Sequence, residues 1–245
     1  TIPPLVPSPP KGERVRVRGS LILSGPSHPA RNMAVDEALL RCAQEEGIPR
    51  LIVRFYGWDR PSASIGYFQS YRAAQAACAG EAAPRFIVRR ATGGGMVRHG
   101  ADWTYSLIYP KNALAGEAND YQFVHSLIAQ ALKETLGWND MAALPEELGH
   151  RGRIAQCFAQ PSAFDLMRGT RKIAGAAQKR SKGWMLHQGT VDLGGDTEAI
   201  AGTGEAFARI LEEHASAEIS QRELTPGEEA QAKSLMESRY ATEAW

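Results

Sequence analysis

The sequence predicts one α+β domain, a mixed β-sheet with helices packed on it. Three observations carry that expectation. Short β-rich runs and helical runs alternate irregularly, without the strand–helix–strand spacing of a doubly wound sheet. The 245 residues hold no internal repeat and no long polar linker, so residues 13–245 read as one domain behind a flexible, proline-rich lead-in of residues 1–12. Hydrophobic residues make up 43% of the chain and charged ones 22%, which suits a sizeable buried core.

Five of the first ten residues are proline (Pro3, Pro4, Pro7, Pro9 and Pro10), a polyproline segment rather than a folded element. Residues Arg14 to Leu23 read as the first strand. A helix follows from Asn32 to Glu46, with Val35, Ala38, Leu39 and Cys42 on one face and Gly47 as its stop. Leu51 to Phe55, Arg85 to Val88 and Thr104 to Tyr109 are short β-rich runs. The alanine-rich stretch Tyr71 to Ala79 reads as helical.

From Asp120 to Leu136, Val124, Leu127, Ile128, Ala131 and Leu132 repeat at helical spacing, with Asn119 placed to cap the start and Gly137 the end. Phe164 to Met167, Lys172 to Gly175 and Trp184 to Leu193 read as strands. Helices are expected over Glu205 to His214 and Glu228 to Arg239. The second opens on Thr225-Pro226-Gly227-Glu228, a capping box with proline at the first helical position.

Charge and composition exclude several functions. Lysine plus arginine (28) nearly balance aspartate plus glutamate (27), for a net charge of +1. A nucleic-acid binder usually carries a basic excess, so no nucleic-acid partner is expected. No stretch of eighteen apolar residues is present, so no membrane span is expected. Three cysteines (Cys42, Cys78 and Cys157) share no metal-ligand spacing, and no secretory signal is visible. The expectation is reduced thiols in a cytoplasmic protein without a metal.

Three segments could carry chemistry. Arg89-Arg90-Ala91-Thr92-Gly93-Gly94-Gly95 follows a strand, and three glycines in succession suit a backbone that turns sharply or approaches a ligand closely. Its N–H groups could form an anion-binding nest beside the two arginines; the plain alternative is a strand connection with arginines in solvent. Met96 and Val97 follow where a phosphate-binding P-loop needs lysine and a hydroxyl residue.

In the second segment, Cys157 precedes Lys172 by fifteen residues. A lone cysteine is more commonly a small buried hydrophobe, and a lysine at a strand start commonly points into water. If the two meet, the chemistry changes. A free thiol is only about 3% thiolate at pH 7. An ammonium about 4 Å away is worth up to roughly 4 kcal/mol at an effective dielectric near 20, sufficient to activate a nucleophile. The third segment, Trp184 to Thr190, alternates as a strand; His187, or His99 shortly after the glycines, could donate to a bound carbonyl or simply be satisfied by neighbours.

Taken together, these segments resemble the lipoate–protein ligase A and octanoyltransferase family, of the biotin/lipoate ligase fold. The resemblance covers Ser24-Gly25-Pro26, Asn32-Met33-Ala34-Val35-Asp36-Glu37-Ala38, Phe55-Tyr56-Gly57-Trp58, Ser64-Ile65-Gly66-Tyr67, the Arg89 to Gly95 loop, Thr104-Tyr105-Ser106, Lys172 to Gln178 and Arg239 to Trp245. Cys157-Phe158, Pro161-Ser162 and Lys172 match the spacing of the cysteine-dependent acyltransferase branch found in Gram-positive bacteria. His99-Gly100-Ala101-Asp102-Trp103 departs from the His-Asp-x-Gly-Asn pattern of the ATP-using ligases. Gly95 cuts the other way, since that acyltransferase branch often carries arginine there.

The resemblance implies a biotin/lipoate ligase-like catalytic domain that transfers an octanoyl group from octanoyl-acyl carrier protein to a lysine of a lipoyl domain, such as the glycine-cleavage H protein. In that mechanism Cys157 carries the acyl group as a thioester and Lys172 activates it. Arg90, Thr92, Gly93, Gly94, Gly95, His99, Tyr67, Gly175 and His187 are the substrate-binding candidates, with Tyr67, Ile87 and Met96 placed near the acyl tail by motif proximity. No cofactor is implied; ATP enters only for the alternative of a lipoate ligase. A non-catalytic lipoyl-domain or acyl-binding module is the third reading, and it would need neither Cys157 nor Lys172.

Overall fold

In the computed structural model, residues 17–79, 84, 86–111, 113–114, 119–149, 161–194, 199–215 and 217–242 are described. Eight strands build the main sheet: β1 (Val17–Leu23), β2 (Arg50–Tyr56), β6 (Trp103–Pro110), β7 (Met141–Ala143), β8 (Leu166–Arg168), β9 (Arg171–Ser181), β10 (Trp184–Val191) and β11 (Ala217–Gln221). Their order is β11-β1-β2-β6-β10-β9-β8-β7. The pairs β11–β1 and β1–β2 are parallel; the rest, from β2–β6 onward, are antiparallel. A second sheet pairs β3 (Ser62–Ile65) with β4 (Phe86–Arg89) in parallel and with β5 (Val97–His99) antiparallel. The sheets are mixed, as expected for α+β.

Strand alternation decides what each face of the main sheet touches. Leu51, Val53 and Phe55 join Tyr105, Leu107 and Met185 under α3 (Asp120–Leu136) and α4 (Ala199–Ala215). Ile52, Tyr56, Ile108 and Leu186 face the other way, onto α1 (Pro29–Glu46) and α5 (Pro226–Leu235). The short α2 (Tyr71–Ala77) covers the small sheet, where Ala63, Ile65, Ala74, Cys78 and Met96 form a separate cluster.

Capping chemistry sets the helix bounds. Asn119 accepts from the Tyr121 and Gln122 amides, and Gly137 closes α3 in the left-handed conformation, as its sequence predicts. The Thr225–Glu228 capping box is present at α5. At α1 the start differs from expectation. His28 accepts from the Ala30 amide and Pro29 opens the helix, so Asn32 lies inside it, where its side chain donates to the Gly57 and Ser27 carbonyls.

The last helix differs too. After Leu235 the chain widens into a π turn, Met236–Tyr240, from which Arg239 and Tyr240 both bond the Glu37 carboxylate. Four short strands had no recognisable signal: β3, β5, β7 and β11. β3 is buried at all four positions, so it shows no alternation.

Asp36, fully buried in α1, accepts from Arg54 Nη1 at 2.8 Å, Tyr56 Oη at 2.9 Å, Ser106 Oγ at 2.9 Å and Gln188 Nε2 at 2.7 Å. Asp36→Ala would leave the Arg54 guanidinium buried without its carboxylate and should cost about 3–5 kcal/mol in urea unfolding. The exposed Arg31–Glu229 pair is the control: Arg31→Ala should cost less than about 1 kcal/mol. Equal losses would overturn the assignment of Asp36 as the hub.

Candidate active site

A narrow cavity lies between the α1 face of the main sheet and the small sheet. Its floor is built by register. Thr104, Thr190 and Gly175 sit side by side on three neighbouring strands, with Gln188 and Ala177 in the next row. Met33, Trp58, Ser64, Arg90, Gly94, Val97 and His99 supply the other walls.

The glycine loop is held to the cavity by side chains that the sequence left in solvent or reserved for an anion. Arg90, buried, donates to the carbonyls of Ser64, Gly93 and Gly95, each at 2.9 Å. Arg89 donates to the carbonyls of Tyr67 and Gln69. These guanidiniums therefore fix loop carbonyls, and Arg90 shapes the cavity wall through the loop. Gly94 has φ +86, a conformation that side chains resist, and it is the loop residue that reaches the cavity. Thr92 donates to Gln188 Oε1 at 2.8 Å, which joins the loop to the Asp36 hub.

Lys172 is the second residue of β9, its side chain buried and its Nζ 2.6 Å from Asp165 Oδ2. A bulge aims it. Pairing shifts between Leu166–Ala174 and Met167–Lys172, so Ile173 and Ala174 both enter the α3–α4 core and Lys172 shares the other face with Gly175. The lysine lies directly against that glycine. A Cβ on Gly175 would stand 2.5 Å from Lys172 Cε and 2.6 Å from Nζ, so only glycine leaves room for the ammonium beside the cavity.

Asp165 was not among the candidates from sequence, and it changes the electrostatics. An ammonium paired with a carboxylate acts on a third group as a dipole rather than a bare charge, so the roughly 4 kcal/mol estimated for a lone lysine is an upper bound here. Cys157 lies outside the described residues.

His99 stands between two partners. Its Nδ1 is 2.7 Å from Asp102 Oδ2 and its Nε2 2.7 Å from Ser64 Oγ, and its ring stacks on Trp58 at 3.9 Å. Asp102 also accepts from Thr190, Thr104 and the Gly100 amide. Burial opposes its charge, but His99 and the bonds from His99, Thr190 and Gly100 outweigh that and bring the carboxyl down to about 2.

A family model, the lipoyl protein ligase A/B catalytic domain, matches residues 28–238. The chain belongs to that family. It is 31% identical over 266 residues to octanoyltransferase LipM of Halalkalibacterium halodurans, across 91% of this chain and 96% of that protein. Octanoyltransferase LipM of Anoxybacillus flavithermus is 31% identical over 269 residues, across 91% and 95%. In fold the chain is similar to a crystal structure of lipoate-protein ligase A bound with ATP, at TM-score 0.69 and 24% identity over 94% of this chain and 98% of that one. It is also similar to a lipoate protein ligase from Thermoplasma acidophilum, at TM-score 0.63 and 22% identity over 94% and 96%.

Within this member of the family, Arg90, Gly94, His99 and Gly175 line one cavity, with Thr92, Gly93, Gly95 and Lys172 behind its walls. Tyr67 is elsewhere, 40% exposed and edge-on to Phe68. Ile87 and Met96 pack in the small-sheet core, so they do not line the cavity. The apolar liners are Met33, Tyr56, Trp58, Val97, Ala176 and Ala177. Ser64, Asp102, Asp165 and Gln188 are the site residues that sequence reasoning missed. Each is polar and buried or nearly so, yet none falls in a spacing that marks chemistry.

His187 also lies outside the cavity. Gln188 and Thr190 take the cavity face of β10, so alternation turns His187 to the α3 side, beside Tyr105, Tyr121 and His125. Burial, then the His125 ring, lowers it to about 3. Burial pushes His125 down too, against the hydrogen bond its Nδ1 donates to the Phe164 carbonyl.

His187 stays neutral in the fold while the unfolded chain protonates its histidines below about pH 6.5, and His125 shifts in the same direction. The unfolded state then holds more protons, so stability should fall as pH drops from about 6.5 towards about 3, by up to about 1.4 kcal/mol per pH unit for His187. His187→Gln should lower the slope by up to about 1.4 kcal/mol per pH unit in urea unfolding across the window. An unchanged slope would remove His187 from the account.

Proposed function

We propose that this chain, an acyltransferase of the lipoyl ligase family, moves an octanoyl group from octanoyl-acyl carrier protein to a lysine of a lipoyl domain, through a thioester on Cys157. The observation that carries the reading is the buried Lys172–Asp165 pair set against Gly175 at one end of an apolar-walled cavity. The named octanoyltransferase relatives support it over nearly their whole length.

The cavity suits an acyl tail. From Gly175 through Thr190 to Thr104 its floor crosses two strand spacings, about 10 Å, close to the length of an extended eight-carbon chain. Burying about six methylenes there is worth about 5 kcal/mol. With the tail along that floor, the acyl carbonyl lies at the Lys172 end, where a cysteine from the segment before Pro161 has to meet it.

Each step then has a residue. The Cys157 thiolate attacks the thioester carbonyl of the donor, forming a new C–S bond as the carrier's C–S bond breaks and its sulfur leaves with a proton from Lys172. Lys172, held by Asp165, steadies the thiolate and then takes part in removing a proton from the incoming ε-amine of the acceptor. Exchange of one thioester for another is close to isoenergetic and its aminolysis runs downhill, so the reading needs no nucleotide. The glycine-cleavage H protein is one acceptor of suitable chemistry.

The test is direct. Wild type mixed with octanoyl-acyl carrier protein should gain one octanoyl mass on the Cys157 peptide, labile to hydroxylamine, and should pass it to a lipoyl domain without ATP. Cys157→Ala should abolish both adduct and transfer. A Cys157→Ala chain that modifies its acceptor when given ATP and free lipoate would replace this reading with the ligase.

Lys172→Ala should slow acylation by about 100-fold or more and raise the pH at which Cys157 is alkylated. Lys172→Arg, which keeps the charge but cannot accept a proton, should restore alkylation better than transfer. An alkylation profile unmoved in Lys172→Ala would remove the lysine from the mechanism.

A further inference from the structure

Ser64, His99 and Asp102 form a hydrogen-bonded series with the connectivity of a nucleophilic triad, and Ser64 and His99 line the cavity. The direction of each bond follows from its neighbours. Arg90 Nη1 donates to Ser64 Oγ at 2.7 Å, and that hydroxyl, 2.7 Å from His99 Nε2, donates to it when His99 is neutral. Asp102, with its carboxyl down at about 2, can only accept, so it takes the Nδ1 proton of His99 across 2.7 Å. The resulting tautomer is the one in which Nε2 is free to act as a base.

The series is rigid. Ser64 is fully buried and belongs to β3, His99 to β5, and the His99 ring stacks flat on Trp58. Asp102 is fixed from the main sheet by Thr190 and Thr104. Ser64 and His99 both line the cavity, whose other walls near them are apolar: Met33, Tyr56, Trp58 and Val97. On the far side of Trp58 an apolar groove, lined by Leu23, Pro26 and Phe55, shares Tyr56 and Trp58 with the cavity and reaches Asp102. An acyl carbonyl arriving past Trp58 would meet Ser64 without passing Lys172.

We propose that Ser64, with His99 as base and Asp102 as its orienting acid, is a second nucleophile in this cavity that hydrolyses small acyl esters and thioesters. Ser64 Oγ adds to the carbonyl carbon as its proton moves to His99 Nε2. The bond to the leaving alcohol or thiol then breaks, and the leaving group takes that proton. Water attacks the Ser64 ester, gives a proton to His99, and releases the carboxylic acid as Ser64 Oγ is reprotonated. Arg90 is placed to steady charge on the serine oxygen. Neither Cys157 nor Lys172 enters this chemistry, so its failure and that of octanoyl transfer are separately visible.

The experiment uses the whole wild-type chain, a fluorophosphonate probe and p-nitrophenyl butyrate. One probe per chain should attach, the modified peptide should be the one containing Ser64, and ester hydrolysis should fall in proportion to that labelling. Ser64→Ala should lower hydrolysis by about 100-fold or more and take no probe. A probe found on another residue, or hydrolysis that persists in fully labelled protein, overturns the proposal. So does Ser64→Ala that melts like wild type and hydrolyses as fast. Should Ser64→Ala fail to fold, labelling of the wild-type chain decides alone.

Discussion

The Asp36 carboxylate holds the site together. A charge at the centre of a domain is costly to desolvate and persists only when it is fully bonded. Asp36 meets that demand with donors from three strands: Arg54 and Tyr56 on β2, Ser106 on β6 and Gln188 on β10. Arg54 in turn donates to the Asn32 carbonyl and side chain on the same helix. One helical turn of α1 is thereby locked to the middle of the main sheet. The lock continues outward, because Gln188 accepts from Thr92 and so fixes the glycine loop over the cavity floor.

A rigid floor lets the two ends of the cavity carry different chemistry. At one end an ammonium and a carboxylate, Lys172 and Asp165, are buried as a pair; at the other, Ser64, His99 and Asp102 join the two sheets. Met33, Tyr56, Trp58 and Val97 supply apolar wall beside them. The opposite face of β10 carries His187 instead, with His125 of α3 set against it. His187 Nε2 and His125 Nε2 have no hydrogen-bond partner among the described residues, which favours their uncharged forms and keeps their charge away from the Lys172 end. Strand alternation alone separates these environments, since His187 and Gln188 are adjacent in sequence and on opposite faces.

The sequence carried the elements whose signals are local. Period and caps specified α3 to the residue, because Asn119 and Gly137 act within one turn of its ends. The capping box at Thr225 was equally legible. β3 and β5 were not, being three or four residues long, too short for any period to emerge. The same limit applies to the site. Glycines and the lysine strand stand out in one dimension, whereas Asp165 becomes significant only when the bulge at Ile173 turns Lys172 towards it. His187 was placed in the cavity because a histidine in a strand draws attention, while Gln188, its neighbour, occupies the cavity face.

Asp102 shows how a departure from a family pattern acquires a physical meaning. Read along the chain, His99-Gly100-Ala101-Asp102 separates the acid from the histidine by two residues, and pattern matching registers only that the expected neighbour is missing. In the fold, Gly100 and Ala101 form a turn whose first amide bonds Asp102 Oδ1 while Oδ2 reaches His99. The displaced acid can therefore do two things at once. It orients His99 from the small sheet, and through Thr190 and Thr104 it fastens that sheet to the main one. A carboxylate so bonded is held ionised, and an ionised carboxylate fixes the imidazole proton on Nδ1. The tautomer of His99 is thus set by the same bonds that hold the two sheets together.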